Sequence, residues 1–446
     1  MEDTIAAIAT AVGVGAISII RVSGNDAIKN VNKIFKGTDL EKVASHTINY
    51  GHIVYNNEKI DEVLVSVMRT PKTFTREDVV EINCHGGIAT TNKVLELLLM
   101  NDCRLAEPGE FTKRAFLNGR IDLVEAEGIM NLIDSKSELA RKLSLKQLDG
   151  SVSNNIRDLR NKILLLLANI AVNIDYPEYE DILDVTIDQV KKHLGEITTS
   201  LQKILETSEN TTIVLDGLKT AIVGCPNVGK SSILNLLLNE EKAIVTNVAG
   251  TTRDIVEGTL NLNGVYLKLL DTAGIHETDD IVEGIGINKS IDSISSADLV
   301  LLVLDGSREL NVEDQKLLDL TASKKRIIII NKVDLERKID FQDNDVVFMS
   351  TKDGLGLDKL KNKIISMFKL DEISVDMNIF VNADDLAKIK KCIELINKIN
   401  SSIDFMEIDM IEIDLREIND ILGSIIGESY DEELLDTIFK NFCLGK

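Results

Sequence analysis

Cysteine, positive charge and long apolar runs are what this 446-residue chain is short of. Its five cysteines, Cys84, Cys103, Cys225, Cys392 and Cys443, are odd in number and none sit at CxxC spacing. That argues against a disulfide framework, and the expectation is a reducing, cytoplasmic setting. No apolar stretch approaches the ~18 residues of a membrane helix. The start, Met1-Glu-Asp, is acidic where a secretory leader is basic. Neither a membrane span nor a signal peptide is expected. Lysine and arginine total 50 against 73 acids, a formal charge of −23. Such a chain does not hold nucleic acid by bulk attraction. The deficit is uneven: residues 1–118 carry 13 basic and 15 acidic residues, whereas 371–446 carry 7 and 18. Any action on RNA then requires a local basic patch or a basic partner.

Glycine and proline are also sparse over residues 119–215, which leaves room for long helices. Ile156–Ala168 and Ile187–Leu205 carry apolar residues at every third or fourth position, with a break at Tyr176-Pro177. Residues 1–118 alternate instead. Ala16–Val22, Glu62–Met68 and Asp78–Asn83 read as strands, and Asp26–Phe35 and Thr90–Leu99 as helices, which predicts a small α+β domain. Residues 216–372 repeat strand and helix, with strands at Ala221–Val223, Val265–Leu270, Leu299–Val303, Arg326–Ile330 and Val346–Phe348. Beyond them Ala383–Ile399, Ile411–Leu422 and Glu432–Phe442 read as helical, while Asp404–Asp414 alternates acidic and apolar residues and leaves its state open. The simplest arrangement places a domain of 1–118 first. The α/β domain of 216–372 is then inserted into a helical domain built from 119–215 and 373–446.

What is there is a phosphate-binding loop. Gly224-Cys225-Pro226-Asn227-Val228-Gly229-Lys230-Ser231 matches G-x-x-x-x-G-K-[ST], between the apolar run Thr220–Val223 and the helical run Ser232–Leu238. Its glycines let backbone N–H groups close on phosphate oxygens, and the helix N-terminus favours the anion. Lys230 is placed to reach the outer phosphates and Ser231 to hold Mg²⁺; Val228, Gly229 and Ser232 complete the cradle. Four further motifs follow in order. Gly250-Thr251-Thr252-Arg253-Asp254 follows the first helix, where a switch threonine reaches Mg²⁺. Asp271-Thr272-Ala273-Gly274 offers a carboxylate for a Mg²⁺ water and an N–H for the γ-phosphate. Asn331-Lys332-Val333-Asp334 provides a carboxylate that accepts from guanine N1–H and N2–H₂, a donor pair adenine lacks, and Ser350-Thr351-Lys352 backs the base. Each motif alone is a plausible polar loop; the ordered set reads as a GTPase. Residue 275 is Ile, where many GTPases keep a water-orienting Gln. Asn227 is then either a monovalent-cation ligand or a loop-capping Asn.

These motifs resemble those of the Era-like, potassium-stimulated GTPases. The remainder of the chain resembles the MnmE (TrmE) family. The matching segments are Asp3–Thr10, Ile19–Gly24, Phe74–Ile82, His85-Gly-Gly87, Ala106–Gly119, Leu422–Glu428 and the C-terminal Asn441-Phe-Cys-Leu-Gly-Lys446. The resemblance spans essentially the whole chain. It implies an N-terminal α+β folate-binding and dimerisation domain, a discontinuous helical domain and an inserted Ras-like P-loop G domain. It implies a GTP hydrolase that works with an FAD-dependent MnmG-type partner. Together they add an aminomethyl or carboxymethylaminomethyl group to C5 of the wobble uridine (position 34) of certain tRNAs. The one-carbon unit comes from a tetrahydrofolate (5-formyl- or 5,10-methylene-). A constitutive homodimer is implied, with G domains that meet in a potassium-dependent way.

The family's roles fall on named residues here. Asn227, Thr246, Val248 and Thr251 correspond to the K⁺ ligands, within the nucleotide-contacting run Thr246-Asn247-Val248-Ala249-Gly250-Thr251-Thr252. Ser231 and Thr252 correspond to the Mg²⁺ ligands. Glu283, in Asp280–Ile287, corresponds to the glutamate that orients the attacking water, with Lys230 and Asn227 as the other catalytic groups. Arg21, Glu81, Arg120 and Lys446 correspond to the folate site. Cys443 reads either as a nucleophile or as a small buried hydrophobe. Two departures stand out: Ala11-Val-Gly-Val-Gly15 replaces a Pro-Pro-Gly-x-Gly run, and Asp384-Asp385 replaces a basic pair. The alternative is a ribosome-assembly switch of the Era or Der type. That reading needs a basic RNA-binding appendage such as a KH module, and the acidic C-terminal part offers none.

Overall fold

The computed structural model describes residues 3–175, 187–240, 259–262, 264–270, 293–339, 341, 345–370, 382–405, 408–429, 435, 438–440, 442 and 445. They form two compact units. One comprises residues 1–130, 147–184 and 406–446, the other 131–146 and 185–405.

The first unit is built on a seven-stranded sheet of order β3-β4-β5-β6-β2-β1-β7. Its strands are β1 (Thr4–Ile8), β2 (Ile17–Ser23), β3 (Phe35–Gly37), β4 (Thr47–Tyr55), β5 (Glu58–Met68), β6 (Val79–His85) and β7 (Cys103–Leu105). Helices α1 (Ala27–Ile34) and α2 (Ile88–Leu99) cover one face. The alternation in β2 shows why: Ile20 and Val22 are fully buried against the helices, which turns Arg21 to the other face. β2 and β6 pair antiparallel with Arg21 directly opposite Glu81. The short helix α3 (Glu110–Leu117) follows β7. β4 goes beyond the sequence expectation, since Gly51 interrupts its pattern. The glycine is needed there, because a Cβ on it would lie 2.4 Å from the Phe35 ring that packs across it.

The second unit holds a six-stranded sheet of order β13-β12-β11-β8-β10-β9. Its strands are β8 (Leu218–Val223), β9 (Thr259–Leu262), β10 (Val265–Leu270), β11 (Leu299–Asp305), β12 (Arg326–Asn331) and β13 (Val346–Phe348). All neighbours pair parallel except the edge strand β9. β11 is buried at every position, as a central strand covered on both faces must be. Leu299, Leu301 and Val303 enter one core with Ile327 and Ile329; Val300, Leu302 and Leu304 enter the opposite core with Ile328 and Ile330. The helices of this sheet include α8 (Lys230–Glu240), α9 (Val312–Leu320) and α10 (Leu357–Met367).

Helices before and after the nucleotide sheet in sequence pair within each unit. The stretches α4 (Leu123–Asp134) and α5 (Glu138–Leu148) lead into them. In the first unit α6 (Ser151–Asp175) packs on α12 (Ile408–Ile425); in the second α7 (Ile187–Asp216) packs on α11 (Ala383–Ser402). Ile411, Leu415, Ile418, Leu422 and Ile425 are buried at alternating spacings of four and three, so the helical period decides the open stretch from Ile408 on. The break expected at Tyr176-Pro177 and most of the helix expected over Glu432–Phe442 lie outside the described residues.

Candidate functional site

The described nucleotide-binding motifs, 224–231, 331–334 and 350–352, stand at the carboxyl ends of β8, β12 and β13 of one sheet, where ligands of parallel α/β sheets bind. The loop 224–229 leaves β8 and enters α8 at Lys230. Its backbone is sharply constrained: φ is +156° at Gly224, +59° at Asn227 and +103° at Gly229. A Cβ on Gly224 would meet the Val303 carbonyl oxygen at 2.4 Å, and one on Gly229 would meet Asn331 Nδ2 at 2.2 Å. Both glycines are thus fixed by close approach as well as by dihedral. Asn331 ties the base-side loop to this one, with Nδ2 donating to Val228 O at 2.8 Å and Oδ1 accepting from Thr351 N at 3.3 Å.

Lys230 Nζ donates to Gly224 O and Cys225 O, both at 2.8 Å, so its head lies over the loop. Burial holds its pKa below the ordinary lysine value. Asn227 is exposed and its side chain makes no hydrogen bond among the described residues, so it does not cap the loop. Ser231 and Ser232 lie exposed in the first turn of α8. Asp334 is exposed at the opposite end, where Ser350 Oγ lies 3.0 Å from its Oδ1 and 3.1 Å from Asp353 Oδ2. Lys332 takes the left-handed φ of +65° and sends Nζ to Asp305 Oδ2 at 2.6 Å. Lys352 is exposed beside Thr351.

Sequence reasoning missed two supports of this site. One is Asp305, the last residue of β11. The other lies behind the loop, where Cys225 Sγ is 3.6 Å from Glu313 Oε2 and Arg308 grips Asp314 at 2.6 and 3.2 Å. Asn311 and Asp314 form a reciprocal capping box on α9. Burial first, then the nearby Asp314 and Glu313, pushes the Cys225 thiol up to about 12, which removes it as a nucleophile near neutrality. Thr246, Asn247, Val248, Ala249, Gly250, Thr251, Thr252, Asp271, Thr272, Ala273, Gly274 and Glu283 lie outside the described residues.

A second cluster forms in the first unit. Arg21 sets Nε 2.9 Å and Nη2 2.8 Å from Glu81 Oε1. Both bonds use one oxygen; among the described residues Glu81 Oε2 has no hydrogen-bond donor. The Arg21 guanidinium lies 5.7 and 5.8 Å from the Phe74 and Phe111 ring centres, and Arg120 lies 4.9 Å from Phe74. Burial, then the charge of Arg76, disfavours the Arg120 cation. Arg21 Nη1 also points at Gly445 O at 3.4 Å, so the end of the chain reaches this cluster. A Cβ on Gly445 would meet Ile8 O at 2.4 Å. Three of the four residues expected here therefore stand together; Lys446, like Cys443, lies outside the described residues. Phe74 and Phe111 had no signal in the sequence beyond being aromatic.

A parallel sheet with a glycine-rich loop feeding a helix, an Asn-Lys-x-Asp loop and an amide-to-loop tie defines a P-loop GTPase. The chain matches the family models described as the GTP-binding protein TrmE N-terminus, over residues 4–120, and the MnmE helical domain, over residues 123–443. It is 51% identical to the tRNA modification GTPase MnmE of Ligilactobacillus salivarius and 50% identical to that of Streptococcus thermophilus. Each match covers 100% of this chain and 98% of the relative. The solved G domain of the T. maritima FeoB iron transporter is 33% identical over 34% of this chain and 98% of that one, with a TM-score of 0.26. The chain belongs to the MnmE (TrmE) family.

Proposed function

We propose that the chain hydrolyses GTP as one component of an enzyme that modifies the wobble uridine of tRNA with a folate-derived one-carbon unit. The relatives are named tRNA modification GTPases. The observation that carries the finer reading is the Arg21–Glu81 cluster, a prepared polar site in a unit that holds none of the nucleotide loops. Arg21 occupies one carboxylate oxygen and leaves Oε2 for the N–H edge of a flat heterocycle, a pterin in this reading. Phe74 offers a ring beside it, and Arg76 and Arg120 supply positive charge for a carboxylated tail.

At the nucleotide site the chain's own groups bind and orient. The 224–229 backbone cradles phosphates, Lys230 leaves its loop carbonyls for the phosphate oxygens, and Asp334 reads the base. Ser231 and Thr252 would hold Mg²⁺, which shields phosphate charge. Asn227, with Thr246, Val248 and Thr251, would hold K⁺ in place of an arginine finger; its uncommitted side chain supports that role over capping. Glu283 takes the place of the missing glutamine in orienting water. An FAD-dependent MnmG-type partner supplies the redox step, tRNA is the acceptor, and the setting is cytoplasmic. A homodimer is supported by the bare face of the first sheet, where Ile17, Ile48, Tyr50 and Leu64 are 46–70% exposed. No helix of the described residues is long and apolar enough to cross a membrane.

Titration calorimetry with 5-formyltetrahydrofolate tests the folate site. Wild type binds and Glu81→Gln binds at least about tenfold more weakly, since a charged acceptor is lost. Equal binding by the two proteins would remove Glu81 from the site.

A further inference from the structure

Asp305 lies at the tip of the all-apolar strand β11, level with Asn331 in the parallel ladder and only 8% exposed. Its carboxylate is fully engaged. Oδ1 accepts from Ser307 N at 3.0 Å and from Ser307 Oγ at 2.6 Å, and Oδ2 accepts from Lys332 Nζ at 2.6 Å. The sheet does not need this charge. β11 and β12 pair from Val300–Arg326 to Asp305–Asn331, and Gly306 N closes the end on Asn331 O at 2.8 Å. The Lys332 side chain is one-third exposed, and an ion pair that open to water adds little stability by itself. What the pair does is immobilise Lys332. That residue holds a φ of +65°, uncommon for a side chain of its kind, and its long stem would otherwise sample many rotamers. Lys332 lies between Asn331, which grips the phosphate loop, and Asp334, the residue proposed to read the base.

We propose that Asp305 is a positioning residue for guanine-nucleotide binding: it tethers the Lys332 ammonium so that the aliphatic stem stands fixed as a wall of the base site. Asp305 touches no substrate in this account; it acts through Lys332. The inference rests on the guanine reading of the 331–334 loop, which fails by itself if the wild-type chain does not bind a fluorescent GDP.

The test is a double-mutant cycle on the full-length chain with mant-GDP as the probe, comparing wild type, Asp305→Asn, Lys332→Met and the double variant. Asn keeps the shape and an acceptor for Ser307 but loses the charge; Met keeps an unbranched stem but loses the tether. Asp305→Asn is expected to weaken binding about tenfold, the scale of a hydrogen bond to a charged group. Lys332→Met should weaken it comparably, and the double variant no further than Lys332→Met. With GTP as substrate the loss should fall on KM, not kcat. Wild-type affinity in Asp305→Asn overturns the proposal, as does a full tenfold effect of Asp305→Asn persisting in the Lys332→Met background. Should Asp305→Asn fail to fold, Lys332→Met decides: wild-type affinity there overturns the tether.

Discussion

Gly229→Ala puts a methyl carbon 2.2 Å from Asn331 Nδ2, on a backbone whose φ of +103° L residues rarely adopt. Either the loop gives way or Asn331 releases Val228 O. Strain and a lost hydrogen bond together set a cost of about 2–4 kcal/mol. GDP affinity measured by fluorescence should therefore fall by at least about thirtyfold, and an unchanged affinity would show that the close approach is not needed. At this scale legibility follows chemistry. Gly229, Lys230, Asn331 and Asp334 are readable because phosphate and guanine dictate both residue type and spacing. Asp305 is a lone acid after an apolar strand, and only its place at the carboxyl edge of a parallel sheet could have marked it. Phe74 and Phe111 could not be found without the register that aims Arg21 at them.

At the scale of elements, α11 carries a pH-dependent feature at its first turn. Asn382 caps the helix by accepting from Asp385 N at 2.6 Å, and the Asp385 side chain is buried. Burial, aided by Asp384 and opposed by Lys388, raises its pKa from 3.8 to about 6. The sign follows from linkage. Between these values the folded chain keeps a proton that the unfolded chain has lost, so stability falls as pH rises through that window. The full penalty is present above about pH 6. Asp385→Asn should thus stabilise the second unit by about 1–3 kcal/mol at pH 8 and by little at pH 4. Urea melts at the two values check this, and an equal effect at both would contradict it. The burial also explains how an acidic pair is accommodated at 384–385: Lys388 reaches Asp384 at 2.7 Å and Asp385 at 3.5 Å. Element type was largely legible where periodicity was strong, as in α6, α7, β11 and β12. It was lost in short strands such as β1, β3, β7 and β9, whose pairing is set by neighbours and not by their own pattern. The acidic stretch of 404–414 was ambiguous because alternation and helical spacing overlap over so few residues.

For the molecule as a whole, the sites divide between the two units. The described nucleotide loops lie in one unit and the Arg21–Glu81 cluster in the other. The isoleucine at position 275 and the Asn227 side chain, which makes no hydrogen bond among the described residues, predict cation-dependent turnover. GTP hydrolysis should be at least about tenfold faster in K⁺ than in Na⁺ at equal ionic strength, the scale of a charge-stabilising group in phosphoryl transfer; equal rates would remove Asn227 as a cation ligand. How the flanking helices divide between the units was not legible in the sequence, because helix periodicity does not name its partner. GTP turnover in this chain is proposed to serve chemistry on tRNA. Mass spectrometry of wobble nucleosides from cells lacking the chain tests it most directly. C5-aminomethyl-type uridines should disappear and return on re-expression of wild type but not of Asp334→Ala. Unchanged C5 modification in the deleted cells would contradict it.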